Sequence, residues 1–306
     1  MLKRVFINIL LIIVAFIMIE SYCFFQTKHE NNVFKNQADK LEANNTRQFI
    51  TKYKIMEDFN TQTFRPSYYI DNSKKKPILW FGCSFAEGAG LSDEITPAYK
   101  IAHLTGRSCI NKAKGATGTQ FMYYQLNNDE IMSDASDVDY IIYIFIWNHI
   151  QRLYNYQINP LIEMFNLRYK IQNNKLELIK PFFKPIYSSF FIKRLLNRKV
   201  NNQARVEQYK FELFNKIMEE SLKKAKLRYP NSKFIMVEFP ELSRRELPDY
   251  EVKKLQDMGI IFVKFTDFID KDIDIYDSKY WLSDEIHPTS ETWDLFLPGF
   301  TKQYIK

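Results

Sequence analysis

The residue with the clearest potential for chemistry is Ser84, which follows an apolar run at 77–81 and lies between Gly82 and Gly88. A serine on a sharp turn after a buried strand is open to substrate while its backbone is held rigid, as a nucleophile requires. The structural alternative is an ordinary loop between a strand and a helix that needs glycines and contains a serine. Ser84 is therefore a candidate nucleophile that depends on finding a base.

The segment DEIHP at 284–288 supplies a carboxylate and an imidazole. In a helical turn the side chains of Asp284 and His287 share a face, so that one can orient the other. The imidazole can then accept the serine proton, while the carboxylate selects its tautomer and stabilises the cation. Pro288 biases His287 away from helical geometry, and the alternative is a surface aspartate with a histidine at a helix cap.

Acyl-group chemistry also needs donors for a developing oxyanion. Backbone amides beside the glycines of GATG, residues 115–118, and the side-chain amide of Asn148 are suitable types. The alternatives are turn chemistry for Gly115 and Gly118 and a helix N-cap for Asn148.

The elements that must position these residues alternate along the chain. Apolar runs predict strands at 77–81, 108–111, 140–147, 233–239 and 260–265, and helices are predicted at 94–105, 121–132, 202–229, 250–258 and from 289 onward. Strands separated by helices indicate a parallel sheet with helices on both faces. Ligands bind beyond the carboxyl ends of strands in such sheets, where Ser84 and Asn148 are expected.

Four ordered blocks together resemble the SGNH/GDSL esterases and acyltransferases. The first looks like residues 82–88 (GCSFAEG), and the second like Asn111 with residues 115–118. The third looks like Asn148 after YIFIW, and the last like residues 284–288. The resemblance covers about residues 77–300 and implies a three-layer α/β/α fold with a central, mostly parallel, flavodoxin-like sheet.

The resemblance implies hydrolysis or transfer of an acyl group, often acetyl, through an acyl-Ser84 intermediate and without a metal or cofactor. His287 would be the general base and then the acid, and Asp284 would orient it. The amides of Ser84 and Gly118 and the side chain of Asn148 would hold the oxyanion.

Two blocks depart from the family pattern. Cys83 replaces the usual aspartate of the first block, which is not the acid of the triad. The third block, usually Gly-x-Asn-Asp, reads IWNH at 146–149 and lacks the glycine and the final aspartate. His149 and Arg152 follow at once and, with Gly115, are candidate substrate-binding residues; the alternative for His149 and Arg152 is an exposed helix start.

The N-terminal segment predicts a membrane anchor. Residues 5–19 are apolar apart from Asn8, Glu20 and Ser21 follow, and residues 22–25 are again mostly apolar. A helix from 5 to 25 would be about 31 Å long, enough to cross a bilayer core. No small-x-small cleavage site follows it, which favours an anchor over a cleaved signal peptide. Lys3 and Arg4 would stay in the cytoplasm and send the rest of the chain outside.

The predicted organisation is an anchor at 1–25, a stalk or helical segment at 26–76, and an SGNH-like domain at 77–306. That domain contains an insertion at about 149–230, with a β-hairpin predicted around Asn173-Asn174.

Composition excludes several other classes of function. The net charge of +7 is not gathered into a stripe, and no nucleic-acid-binding motif occurs, so nucleic acid is not an expected partner. Weak attraction to anionic lipid headgroups or glycans stays open. Cys23, Cys83 and Cys109 form no CxxC pair, so a zinc site is not expected. Buried free thiols are expected at 83 and 109, with a disulfide as the alternative.

The leading hypothesis is an extracytoplasmic esterase or O-acyltransferase that acts on an acylated glycan or lipid of the cell envelope. The altered third block motivates a second hypothesis, a non-catalytic binding or assembly protein that retains the fold. A third is an interaction protein that works mainly through the insertion.

Overall fold

The computed structural model describes residues 65–71, 73–153, 167–178 and 203–305. The strands in chain order are β1 (Ile78–Gly82), β2 (Cys109–Asn111), β3 (Tyr140–Phe145), β4 (Tyr169–Gln172), β5 (Lys175–Leu178), β6 (Lys233–Glu238) and β7 (Ile261–Lys264). The helices are α1 (Ser84–Glu87), α2 (Pro97–Thr105), α3 (Thr119–Leu126), α4 (Asn148–Arg152), α5 (Gln203–Arg228), α6 (Asp249–Asp257) and α7 (Ser290–Tyr304).

The central sheet has the strand order β2-β1-β3-β6-β7, and every neighbouring pair is parallel. Ile78 of β1 lies opposite Cys109 on one side and Tyr140 on the other. The chain moves from β1 to β2 in one direction and then returns past β1 to β3. The strand order therefore reverses at β1 and β3, and in open α/β sheets ligands bind beyond the carboxyl ends of the strands at such a reversal.

The two faces of the sheet are buried by different helices. Ile78 and Trp80 of β1 point into a cluster with residues of α2 and α7, whereas Leu79 and Phe81 point into a cluster with α3, α5 and α6. Because both faces are covered, the strands need apolar residues at successive positions, as their sequences show. The predicted parallel sheet with helices on both faces is confirmed, and it fits the fold that the family resemblance implies.

Local signals explain where the helices begin and end. In α2, the Thr96 hydroxyl accepts a hydrogen bond from the Tyr99 amide, Pro97 is the first residue, and Gly106 ends the helix with φ 63°. The prediction for α3 was wrong at its end, because the helix stops at Leu126 rather than at 132. Beyond it the Asn128 side chain accepts from backbone amides of Glu130 and Ile131 and holds a turn.

The described part of the predicted insertion contains the expected hairpin and long helix. Strands β4 and β5 are antiparallel, and the turn residues Asn173 and Asn174 have φ values of 50° and 58°. Positive φ at both central positions is the geometry of a tight type I′ turn, which asparagine tolerates. Residues 154–166 and 179–202 lie outside the described residues.

The predicted anchor at 5–25 and most of the predicted stalk also lie outside the described residues. None of the helices within the described ranges has the length and hydrophobicity needed to cross a bilayer.

The end of the predicted stalk joins the domain: Tyr68 exchanges two backbone hydrogen bonds with Cys109 of β2, at 2.9 and 2.7 Å. Arg65 pairs with Asp93 at 2.8 Å. Residues 65–71 therefore cover the edge of the sheet at β2.

The packing of α5 on the sheet generates a stability prediction. Phe214 is fully buried, and its ring centroid lies 5.4 Å from that of Phe145 in β3. Phe214→Ala should lower the free energy of unfolding in urea by about 3–5 kcal/mol, since it leaves a cavity beneath the sheet. Leu227→Ala is the control on the same helix: Leu227 is 80% exposed, and its loss should cost less than about 0.5 kcal/mol. Equal losses in both variants would contradict this packing.

Candidate active site

Ser84 lies at the start of a single helical turn directly beyond β1. Gly82 ends the strand with φ 153°, and a Cβ built on it would lie 2.4 Å from the Cβ of Ala86. Only glycine allows this close turn. Helix α1 ends at Gly88 with φ 73°. Because Ser84 occupies the first position of the helix, its amide has no acceptor within the helix.

Asp284 and His287 form a directly bonded pair. The distance from His287 Nδ1 to Asp284 Oδ2 is 2.5 Å, and Asp284 Oδ1 accepts from the amides of Ile286 and His287 at 2.9 and 3.0 Å. Burial raises the pKa of Asp284, but the hydrogen bonds and charge of His287 outweigh burial and bring the pKa below its usual value. Glu285 between them has φ 54°, a left-handed conformation that tightens the turn.

The turn at 284–288 packs against the helix that begins with Ser84. The ring of Phe85 meets the imidazole of His287 edge-on, with centroids 5.7 Å apart. Gly90 approaches Leu282, whose amide donates to the carbonyl of His287 at 2.7 Å. Within the described ranges, no direct hydrogen bond joins the Ser84 hydroxyl to the imidazole. Such bonds are often long in enzymes without substrate.

The GATG loop is docked on the end of β1. The Lys114 amide donates to the Gly82 carbonyl at 3.0 Å, and the Thr117 hydroxyl donates to the Lys114 carbonyl at 2.7 Å. Gly115 faces Ser84: a Cβ built on Gly115 would lie 3.8 Å from the Ser84 Cβ. Gly118 then caps α3 in an extended conformation. The loop therefore brings its backbone beside the candidate nucleophile.

Glu87 is a buried carboxylate beneath this loop that sequence reasoning did not single out. A Cβ built on Gly115 would lie 2.8 Å from Glu87 Oε2, and Lys114 Nζ lies 3.9 Å from Oε1. Burial raises the pKa of Glu87, opposed by the charges of Lys114 and Arg65, the amide of Gly115 and the charge of His287. A side chain at position 115 would collide with the carboxylate of Glu87, so this position requires glycine.

Asn148 begins α4 beyond β3, with its side chain exposed to solvent. Its backbone amide donates to both carboxylate oxygens of Glu241, at 3.3 and 3.2 Å. Burial raises the pKa of Glu241, against the hydrogen bonds from Asn148 and Ser243 and the charge of Arg152. Glu241 was missed by sequence reasoning, although its position just beyond a buried strand, β6, was a usable signal.

His149 does not have the open position that a substrate-binding residue needs. It is fully buried, with Nδ1 2.6 Å from the Tyr143 hydroxyl. Burial lowers the pKa of His149 well below its usual value, and the positive charge of Arg152 lowers it further. The alternative expectation, that His149 lies at an exposed helix start, is also wrong for this residue. Arg152 is part-buried, and its Nη1 donates to the carbonyl of Thr117 in the GATG loop.

The described residues contain no group of three or more histidine, cysteine or acidic side chains able to hold a metal ion. Cys83 and Cys109 are buried free thiols, which confirms the expectation for these two cysteines.

Comparisons with known proteins find similarity in structure but not in sequence. No protein-family model and no curated protein sequence matches the chain. A member of the lipolytic G-D-S-L family from Veillonella parvula matches with a TM-score of 0.45 at 10% identity, over 75% of this chain and 98% of the other. A catalytic mutant of an acetylxylan esterase from Geobacillus stearothermophilus matches with a TM-score of 0.42 at 10% identity, over 74% and 93%. These values assign no activity, so function must be inferred from the residues of the chain itself.

The Asp284–His287 pair predicts a pH-dependent contribution to stability. Because the pKa of Asp284 is lowered on folding, the contribution is present above the unfolded pKa and is lost as pH falls through the folded value. Asp284→Asn should therefore lower the free energy of unfolding near neutral pH, and the deficit should shrink below about pH 4. Urea unfolding between pH 3 and pH 7 tests this, with the exposed Asp267→Asn as control. A deficit that does not change with pH would argue against the pair.

Proposed function

We propose that this chain is a membrane-anchored serine esterase or O-acyltransferase of the SGNH/GDSL type. The observation that carries the proposal is the meeting of two distant segments at one end of the sheet. The helix that starts with Ser84 packs, through Phe85, on the imidazole of His287, which is itself bonded to Asp284. A nucleophile, a base and an orienting carboxylate in that order are what acyl transfer requires.

In the proposed first half-reaction, Nε2 of His287 accepts the Ser84 proton as Oγ attacks the ester carbonyl. The Nδ1 proton of His287 is held by Asp284, which selects the tautomer with a free Nε2 and stabilises the cation. The amides of Ser84 and Gly118 and the side chain of Asn148 hold the oxyanion. His287 then returns its proton to the leaving alcohol as the ester bond breaks, which leaves an acyl-Ser84 ester.

In the second half-reaction, an oxygen nucleophile attacks the acyl-Ser84 ester, and His287 removes its proton and passes it to the Ser84 oxygen. Water as nucleophile makes the enzyme an esterase, whereas a sugar or lipid hydroxyl makes it an acyltransferase. The same residues serve both outcomes, so access of the acceptor decides between them.

The proposed substrate is an acyl ester, with acetyl as the first choice, on a glycan or lipid of the cell envelope. The support is the predicted anchor at 5–25, with Lys3 and Arg4 on its cytoplasmic side, which sends the domain outside. The catalytic domain would then act beside the membrane.

A non-catalytic binding or assembly protein is the second candidate. It is favoured by the third block, which lacks the glycine and the final aspartate, and by the lack, within the described residues, of a direct hydrogen bond between the Ser84 hydroxyl and the imidazole. A full-length protein that leaves acetyl esters and fluorophosphonate probes unreacted would support this candidate.

Ser84→Ala tests the enzymatic proposal directly. The variant should lose fluorophosphonate labelling and lower the turnover of p-nitrophenyl acetate at least about a thousandfold, because no acyl-enzyme can form. Ser92→Ala, which removes an exposed serine further along the same loop region, should keep full labelling. Mass spectrometry of the acylated protein should place the added mass on Ser84. Labelling that survives in Ser84→Ala would exclude this serine.

The membrane anchor has its own test. The full chain should stay in the membrane pellet after an alkaline carbonate wash. Ile13→Arg, near the middle of the apolar run, should release a large fraction, because a central arginine costs about 2.5–3.5 kcal/mol on insertion. Asn31→Arg, beyond the run, is the control and should remain in the pellet. Complete release of the unaltered chain would rule out an anchor.

A further inference from the structure

A buried chain of hydrogen bonds joins the two segments that carry the proposed oxyanion donors. His149 directly follows Asn148, and its Nδ1 lies 2.6 Å from the hydroxyl of Tyr143. The Tyr143 hydroxyl lies 2.8 Å from Oγ1 of Thr119, the residue after Gly118. These hydrogen bonds therefore connect the residue after Asn148 to the residue after Gly118, and Asn148 and Gly118 are the two proposed oxyanion donors that they link.

All three members of this chain are inaccessible to solvent. Thr119 and His149 are 0% exposed and Tyr143 is 1% exposed. Buried polar groups that lose a partner cost free energy, so each member constrains the position of the next. Both hydroxyls can donate in one direction, from Thr119 to Tyr143 and from Tyr143 to Nδ1 of a neutral His149.

A second contact joins the same two segments on the other side of Gly118. The guanidinium of Arg152, on the same short helix as Asn148, donates to the carbonyl of Thr117. Gly118 is thus held between two tethered neighbours, Thr117 and Thr119, and both tethers lead to the helix that begins at Asn148. A shift of this helix must move the GATG loop with it.

We propose that His149, Tyr143 and Thr119 are positioning residues that set the separation between the Gly118 amide and the Asn148 side chain. The inference rests on the proposed function, because the separation matters only if these groups bind a common oxyanion. Oxyanion donors act only when they are aimed to within about 0.5 Å of where the charge develops. In this protein His149 occupies the position where the family resemblance expects an aspartate. Its hydrogen bond to Tyr143 would then be what fixes the position of Asn148 relative to Gly118.

Tyr143→Phe is the sharpest test, because it removes one hydroxyl from the middle of the chain and keeps the ring. With p-nitrophenyl acetate and the full-length protein, kcat should fall about tenfold or more while KM changes less than about twofold. Thr119→Val should show the same split, and Thr119→Ser, which keeps the hydroxyl, should restore kcat to within about threefold of the unaltered protein.

Tyr229→Phe is the matched control. Tyr229 is also 1% exposed, and its hydroxyl donates to the Ala135 carbonyl at 2.7 Å. Ala135 precedes β3 and Tyr229 precedes β6, so this hydrogen bond lies at the amino ends of the strands, opposite the proposed site. It should lower the melting temperature by an amount comparable to Tyr143→Phe and leave kcat unchanged.

Three outcomes would overturn the inference, and they are distinguishable. An unchanged kcat in Tyr143→Phe, beside turnover that depends on Ser84, would overturn the positioning role alone. Equal losses of kcat in Tyr143→Phe and Tyr229→Phe would show general destabilisation instead. Turnover that does not depend on Ser84 would overturn the proposed function and this inference with it. If Tyr143→Phe does not fold, the Thr119→Val and Thr119→Ser pair decides.

Discussion

The close turn at Gly82 is the constraint on which the rest of the site depends. The first helical turn presses so closely on the sheet that a Cβ at Gly82 would lie 2.4 Å from Ala86 and 3.0 Å from the carbonyl of Ile144. Strand β1 lies between β2 and β3, so this turn lies where the strand order reverses, the place where ligands bind in open α/β sheets. The position of Ser84 is therefore fixed by the packing of the turn on the sheet and does not depend on the other side chains of the site.

Around this turn, the polar side chains are arranged so that the loops support one another. Glu87 lies under Gly115, Glu241 accepts the amide of Asn148, and Arg152 donates to the GATG loop. Each loop comes from a different part of the chain, and their contacts are mostly between a side chain and a backbone group. Such contacts hold backbone amides at defined positions, which suits a site that is proposed to work largely through amides.

Much of the fold could be predicted from the sequence because its signals are local. Apolar runs marked the five strands of the central sheet, Thr96, Pro97 and Gly106 marked one helix, and Asn173-Asn174 marked the hairpin turn. The end of α3 could not be predicted from periodicity, since the Asn128 side chain competes for backbone amides beyond it. The expectation that His149 binds substrate was wrong because its burial depends on contacts with other elements of the fold. The residues next to it in the sequence do not indicate whether it is buried.

By itself, the sequence determined which residues have the chemistry for acyl transfer and which elements carry them, because strand and helix periodicity and turn preferences act over a few residues. Only the tertiary structure decided that His287 packs beside the helix of Ser84, that Glu241 meets Asn148, and that Tyr143 links His149 to Thr119. Those contacts join residues on different elements, and their partners are selected by strand order and by burial, which no local pattern encodes.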